Sequence, residues 1–200
     1  MHDCEKSGNG LDGLMSGLNN INFNSKFLEK RSIFLWGAVM DDTAESVVNR
    51  LFYLNMIDST APIKFYINSP GGSVTAGMAI YDAMQLIKSP VETICMGMCA
   101  SMASILLSGG EKGKRVIFPH AEVMIHQPSL GGYFQDVASN LEITAQQINK
   151  TKRITGEILS KNCNQPFDKV MADLERDHWM DAQESLAYGI VDAVSDKLEF

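Results

Sequence analysis

The sequence contains no apolar run of the ~18 to 20 residues that a membrane-spanning helix requires. Its first ten residues, MHDCEKSGNG, lack the basic and then apolar order of a secretory signal. Four cysteines are too few for a disulfide framework in a chain of 200 residues. These absences favour a soluble protein in a reducing compartment, so we expect a cytoplasmic location.

Positive charge and nucleotide motifs are also scarce. The chain has 17 Lys and Arg against 24 Asp and Glu, a formal net charge of −7. This balance argues against nucleic acid or an anionic membrane as the main partner, because both require a cationic surface. The G-x-x-x-x-G-K-[ST] pattern of a phosphate-binding loop is missing. We therefore expect no nucleic-acid partner, no membrane partner and no nucleotide site of that type.

What is present predicts one α/β domain. Apolar strands alternate with helical segments from Ser32 onward, and this order is typical of parallel βαβ crossovers. The length fits one domain, which we assign to residues 25–200. Residues 1–24 are polar and rich in Gly, Asn and Ser, so we expect a mobile arm, a gate or a removable leader there.

Local patterns predict the main elements. Asp42-x-x-Glu45 resembles a capping box that opens a helix over about 43–57. A strand from Val91 to Met96 is expected to break at Gly97. A long helical stretch is expected over about 135–161.

Two glycine-bearing turns each join an apolar strand to a helix. They are Pro70-Gly71-Gly72-Ser73 and Gly97-Met98-Cys99-Ala100-Ser101-Met102. Such a turn directs backbone N–H groups and the positive end of a helix dipole toward one point. A serine there can act as a nucleophile, because the N–H groups can hold the oxyanion that its attack creates. Ser101 therefore has two interpretations, a nucleophile or a simple N-cap.

A serine nucleophile needs a base and an orienting acid, and the residues alone leave both open. His126 stands at the end of a predicted strand, where an isolated histidine is usually structural. Asp173, Asp177 and Asp181 share one acidic stretch, and their spacing does not choose among them. Nothing in the spacing makes Ser101 and His126 meet.

One interpretation of Cys95 and Cys99 is a metal-binding or redox-active pair. No second pair of ligands lies near them in the sequence. We therefore expect no metal site and treat both cysteines as small buried hydrophobes.

Several motifs follow one another in unbroken order over about residues 26–195. The longest is FYINSPGGSVTAGMAIYD, which begins at Phe65. The others are Ala100-Ser101-Met102, Gly113-Lys114-Arg115, MIHQP from Met124, Glu175-Arg176-Asp177 and ESLAYGIVD from Glu184. Together they resemble the proteolytic subunit of the Clp protease, and so many long motifs in register make the resemblance specific.

The resemblance implies a role for each matching residue. Ser101 takes the place of the nucleophile, His126 that of the general base and Asp177 that of the orienting acid. The backbone N–H groups of Gly72 and Met102 match the oxyanion hole. Two segments match the edges that hold a peptide as an added β-strand: a strand of Gly71, Gly72, Ser73 and Val74, and a second edge of Leu130, Gly131 and Gly132.

The implied fold is a crotonase-like α/β fold of repeated βαβ units. Its protruding handle would be the loop and long helix after Pro128. Family members stack two seven-membered rings around a chamber, and a ring-shaped ATP-driven unfoldase feeds unfolded proteins into it. The resemblance thus implies a serine endopeptidase in a homo-oligomeric tetradecamer, with no cofactor in this chain because the partner uses the ATP. Residues 1–24 do not clearly match the family's processed axial-loop segment, so axial loop, arm and leader remain alternatives.

Some departures keep other functions open. Ala103 stands where the family usually has Gly, Ser129 looks inserted, and Lys64 replaces an aromatic residue of the unfoldase docking pocket. A second paralogue that works in a mixed ring is one alternative, and a catalytically silent structural subunit is another. The third is an acyl-coenzyme A enzyme of the same superfamily. The presence of all three triad positions speaks against the last two.

Overall fold

The computed structural model describes residues 23–129 and 136–197. Most of the predicted N-terminal arm lies outside these residues; its last two positions belong to helix α1 (residues 23–29). The strands are β1 (Ser32–Trp36), β2 (Ile63–Ser69), β3 (Val91–Ala100), β4 (Arg115–Ile117), β5 (Glu122–Ile125), β6 (His178–Met180) and β7 (Ala193–Val194). The other helices are α2 (Asp41–Ile57), α3 (Val74–Leu86), α4 (Met102–Ser108), α5 (Ala138–Cys163), α6 (Phe167–Asp173) and α7 (Ala182–Tyr188).

All seven strands join one sheet, and this confirms the predicted α/β fold. The order β1-β2-β3-β4-β7 is parallel throughout, as crossovers through helices require. β5 pairs in parallel with the last residues of β3, and β6 pairs with β5 in the antiparallel direction. The sequence patterns did not predict β6, and its direction departs from the parallel rule expected for the sheet.

β3 serves two partner strands because it is longer than predicted. Its first half pairs with β4, and its last three residues pair with β5. The strand does not break at Gly97: it continues to Ala100, with a register irregularity against β2. Gly97 has a φ of 68°, and the side-chain oxygen of Asn68 accepts a hydrogen bond from the Met98 amide. The bulge therefore extends β3 up to the residue before Ser101.

α2 begins two residues earlier than predicted, and its cap differs from the expected one. The hydroxyl of Thr43 accepts a hydrogen bond from the Met40 amide at 2.8 Å, so Asp42 and Glu45 do not form the cap. Leu51 and Leu54 are buried on the face that packs against the sheet and α3. The helix thus contributes an apolar stripe to the core.

α5 is the long helix predicted over about 135–161, and the part of the expected handle over residues 130–135 lies outside the described residues. The helix has 26 residues, and its buried ones lie only in its second half: Thr155, Gly156, Leu159 and Cys163. The first half therefore packs against little of the described structure. No helix in the described ranges is both long and apolar enough to cross a membrane.

A partly buried ion pair joins β4 to the segment before β7. Arg115 is 4% exposed and binds Asp192 through Nε at 2.9 Å and Nη2 at 2.5 Å. Its Nη1 donates to the carbonyl oxygen of Asn162, at the end of α5. The Asp192 carboxylate also accepts hydrogen bonds from the amides of Gly113 and Arg115, so its hydrogen-bonding capacity is largely used.

Candidate active site

Ser101 lies between the end of β3 and the start of α4, in a backbone conformation that serine rarely adopts. Its φ is 55° and its ψ is −125°, and such conformations cost about 1 to 3 kcal/mol. The surroundings hold it there: its amide donates to the Met124 carbonyl oxygen at 2.8 Å, and its own carbonyl oxygen accepts the Ser104 hydroxyl at 2.6 Å. Strain of this kind is typical of functional positions.

The hydroxyl of Ser101 does not cap α4. Ser101 occupies the N-cap position, but its side chain makes no capping hydrogen bond. The hydroxyl lies instead 2.9 Å from Nε2 of His126. Of the two interpretations left open by the sequence, the geometry therefore disfavours the simple N-cap.

Strand register brings His126 to Ser101. Ala100 at the end of β3 pairs with Met124 of β5 in parallel. His126 stands just beyond β5, so both side chains leave the sheet at the carboxyl ends of neighbouring parallel strands. Residues 25 positions apart in the chain therefore meet within hydrogen-bonding distance.

Asp177 reaches His126 through β6, the strand that the sequence patterns missed. Ile125, the last residue of β5, pairs with His178, the first residue of β6. Because the two strands are antiparallel, His126 after β5 lies beside Asp177 before β6. The Oδ1 atom of Asp177 is 3.0 Å from Nδ1 of His126. The structure thus joins Ser101, His126 and Asp177 in one continuous line of hydrogen bonds.

The other two acids of the stretch have different partners. Asp173 accepts hydrogen bonds from Lys169 and from the Tyr188 hydroxyl. Partial burial of Asp173 raises its pKa, but these hydrogen bonds outweigh burial and hold the pKa of Asp173 below its ordinary value. Asp181 caps α7 by accepting the amides of Gln183 and Glu184. Only Asp177 of the three contacts a histidine that bonds a serine.

The turn at Gly71 and Gly72 packs directly against the Ser101 turn. Gly71 has a φ of 88°, and a Cβ atom there would lie 2.7 Å from the Ala100 carbonyl oxygen and from the Cβ of Ser101. A Cβ on Gly72 would lie 2.3 Å from the carbonyl oxygen of Val39. Both glycines are therefore required sterically. Within the described ranges, no hydrogen bond uses the amide of Gly72 or Met102, so both donors are free.

The predicted strand of residues 71–74 is wrong in its second half. Gly72 forms a single parallel bridge with Val39. Ser73 is already the N-cap of α3, where its hydroxyl accepts the Ala76 amide, and Val74 is the first helical residue. The helix starts this early because Ser73 is a strong capping residue. The second predicted edge, Leu130, Gly131 and Gly132, lies outside the described residues.

A cleft opens beside Ser101 and His126, and its lining is mainly apolar. The side chains come from α3, α4, the end of β5, α5 and the residue after α6, and the apolar ones are Val74, Met102, Ile105, Ile125, Pro128, Leu159 and Leu174. Thr155 and Ser104 supply the polar part. A lining of this kind favours contact with an apolar group next to the serine hydroxyl.

The cysteines near the site are buried in the core. Burial and contact with Cys95 raise the pKa of the Cys99 thiol well above its ordinary value, so the reactive thiolate is disfavoured. In the described ranges, no three His, Cys, Asp or Glu side chains form a group that could hold a metal ion.

Comparison with protein families gives a match along nearly the whole chain. The family model described as Clp protease matches residues 16–198. The matched range contains every residue of the Ser101, His126 and Asp177 line and both glycines of the adjoining turn.

Proposed function

The chain belongs to the Clp protease family, which makes it a peptidase-type hydrolase, and we propose that it is a serine endopeptidase subunit. One observation carries the proposal: the continuous hydrogen bonds from the Ser101 hydroxyl through His126 to Asp177. In this proposal Ser101 is the nucleophile, His126 the general base and Asp177 the orienting acid. That order of contacts is the one that acyl transfer by a serine requires.

The first step follows from the hydrogen-bonding capacity of each group. An ionised carboxylate only accepts hydrogen bonds, so Asp177 selects the imidazole form with its proton on Nδ1. Nε2 then accepts the proton of Ser101 as its Oγ bonds to the carbonyl carbon of a peptide. The imidazolium that results is stabilised by Asp177, which keeps its own charge.

The second step expels the amine and then releases the acid product. The free amides of Gly72 and Met102 would donate to the oxyanion, and one such donor is typically worth ~3 to 4 kcal/mol of barrier. His126 returns its proton to the leaving nitrogen as the C–N bond breaks, which leaves an acyl-serine. A water molecule then gives a proton to Nε2 of His126 as its oxygen bonds to the ester carbon. The bond from that carbon to Oγ breaks, His126 returns the proton to Oγ of Ser101, and the carboxylic acid product is released.

Substrate would be held mainly by its backbone. In this proposal the backbone at Gly71 and Gly72 forms one edge, with Ser73 and Val74 beside it at the start of α3. Leu130, Gly131 and Gly132 form the other edge. The apolar lining beside Ser101 would contact one side chain of the bound peptide. Because backbone pairing reads no side chains, we expect cleavage of many unfolded sequences.

Membership of the family implies an oligomeric assembly and an unfoldase partner. We propose two stacked seven-membered rings that enclose the active sites, with a ring-shaped unfoldase that uses ATP, so that this chain needs no cofactor. A mixed ring with a second paralogue, a cytoplasmic location, one peptidase domain over residues 25–200 and an N-terminal arm over 1–24 belong to the same proposal.

Replacement of Ser101 by Ala tests the proposal. The variant should assemble normally, but it should neither hydrolyse unfolded protein nor react with a fluorophosphonate that labels the wild type. The assembled protein is assayed alone and with a cognate unfoldase and partner subunit. If the wild type neither labels nor cleaves in any of these mixtures, the subunit is structural and the proposal fails.

A further inference from the structure

The side chain of Asp177 contributes little to keeping this residue in position. Its carboxylate is 62% exposed, and among the described residues its one hydrogen-bond partner is Nδ1 of His126. An exposed ion pair contributes little by itself, because water competes for both groups. The position of Asp177 must therefore be set by its backbone, in the segment of residues 174–177 between α6 and β6, which we call the acid turn.

Gln127 joins the acid turn to the residue that carries the base. Gln127 directly follows His126 in the chain. Its amide donates to the Leu174 carbonyl oxygen at 2.7 Å, and its side-chain Nε2 donates to the Glu175 carbonyl oxygen at 3.0 Å. Two hydrogen bonds thus fix the backbone just before Asp177 relative to the backbone just after His126.

Lys152 holds the acid turn from the opposite side. Its ammonium group, on α5, donates to the carboxylate of Glu175. The Lys152 side chain is only 14% exposed, whereas that of Glu175 is 58% exposed, so water reaches this ion pair mainly from the Glu175 side. The hydrogen bond from Lys152 lowers the pKa of Glu175 and keeps that carboxylate charged. The neighbouring pair of Arg153 and Glu157 lies within α5, is exposed and does not reach the turn.

We propose that Gln127 and Lys152 are positioning residues that hold the acid turn, and through it Asp177, against His126. The inference rests on the proposed function, since it assigns the two residues to the same acyl transfer. Neither acts on the peptide itself. Their loss should lower the rate of the chemical step and leave substrate binding nearly unchanged, because a catalytic group displaced by about 1 Å can cost ~100-fold in rate.

The test compares Lys152→Met and Gln127→Leu with Arg153→Met. The first two remove one support each and preserve the size of the side chain. The third removes an adjacent cation from the same helix without touching the turn. In the assembled protein, we expect kcat for a peptide ester to fall about tenfold in the first two, with KM changed less than about twofold. Arg153→Met should match the wild type, and Lys152→Arg should restore most of the activity.

A double-variant comparison separates positioning from a general structural role. If Lys152 acts through Asp177, then adding Lys152→Met to Asp177→Asn should cost less than about twofold, because the group it positions is already removed. An undiminished tenfold loss in that background would overturn the proposal, and so would wild-type kcat in both single variants. If Lys152→Met fails to assemble, Glu175→Gln removes the same ion pair from its exposed side. Wild-type activity that is abolished by Ser101→Ala, but untouched by these variants, defeats this inference and leaves the proposed function standing.

Discussion

Replacement of Gly71 by Ala should disable the candidate site without unfolding the protein. The added Cβ would lie 2.7 Å from the Ala100 carbonyl oxygen and the Ser101 Cβ, and 2.9 Å from the Met102 amide. Two of these three atoms belong to the backbone and the third is fixed to it, so no side-chain rotation relieves the contact. Relief requires the two turns to separate by about 0.7 Å, the shortfall from the ordinary contact distance of 3.4 Å.

The loss of stability expected for Gly71→Ala has two separate contributions. The φ of 88° at Gly71 is unfavourable for alanine by ~1 to 2 kcal/mol. The forced separation adds ~1 to 3 kcal/mol, as overpacking commonly does. Because the displaced atoms include the Cβ of Ser101 and an amide proposed for the oxyanion hole, kcat/KM should fall ~10- to 100-fold.

Gly113→Ala is the matched control. Gly113 has a φ of 84°, but a Cβ there would meet no atom within 4 Å. This variant carries the conformational cost alone, so it should lose ~1 to 2 kcal/mol of stability and no activity. Unfolding by urea and hydrolysis of a peptide ester measure the two quantities. If Gly71→Ala is as active as Gly113→Ala, the two turns do not constrain each other and the steric argument is refuted.

Three further outcomes follow from contacts at and beyond the site. Asp177→Asn should lower kcat by ~100- to 10,000-fold with the assembly intact, since an amide can favour the wrong imidazole form; a loss below tenfold in steady-state kinetics would contradict the role of Asp177. Arg115→Met should lower the free energy of unfolding in urea by ~3 to 5 kcal/mol, because it leaves Asp192 without its ion-pair partner in a partly buried site. A loss under ~1 kcal/mol would contradict the stabilising role of this ion pair. Burial of Asp192 raises its pKa, but the hydrogen bonds and charge of Arg115 outweigh burial and hold the pKa of Asp192 below its ordinary value. The stabilisation by this pair is therefore full above the unfolded pKa of ~4 and is lost as pH falls through the lower folded value. Urea unfolding of Asp192→Asn should show a weaker acid dependence than the wild type, and equal slopes would exclude the pair as the cause.

Most elements with local signals were predicted well, although the capping box expected at Asp42 and Glu45 of α2 is wrong. The pattern Asp181-x-x-Glu184, with Gly189 five residues later, predicts a last helix. The structure has that capping box, and the helix ends at Gly189 in the left-handed conformation. The first glycine turn leads directly into a helix, as its pattern predicts, and Ser73 is the N-cap of that helix. These signals succeed because the cap and the residues that need it lie within one helical turn of each other.

Elements that depend on a distant partner were predicted poorly. β6 has only three residues, His178 to Met180, and no alternating pattern that would distinguish it from a loop. It is a strand because β5 lies beside it and pairs with it. β3 passes through Gly97 for a similar reason, since Asn68 on the adjacent segment accepts the amide of Met98 within the bulge.

The sequence by itself determined the class of the fold, the family resemblance and the residue types that could form a catalytic line. It could not select Asp177 over Asp173 and Asp181 from spacing, or separate a nucleophile from an N-cap at Ser101. Only the tertiary structure showed that the Ser101 hydroxyl makes no cap and that Asp177 is the acid that contacts His126. The three residues are 25 and 51 positions apart and meet through the register of β3, β5 and β6. Register is a property of paired strands, so no local pattern in one strand contains it.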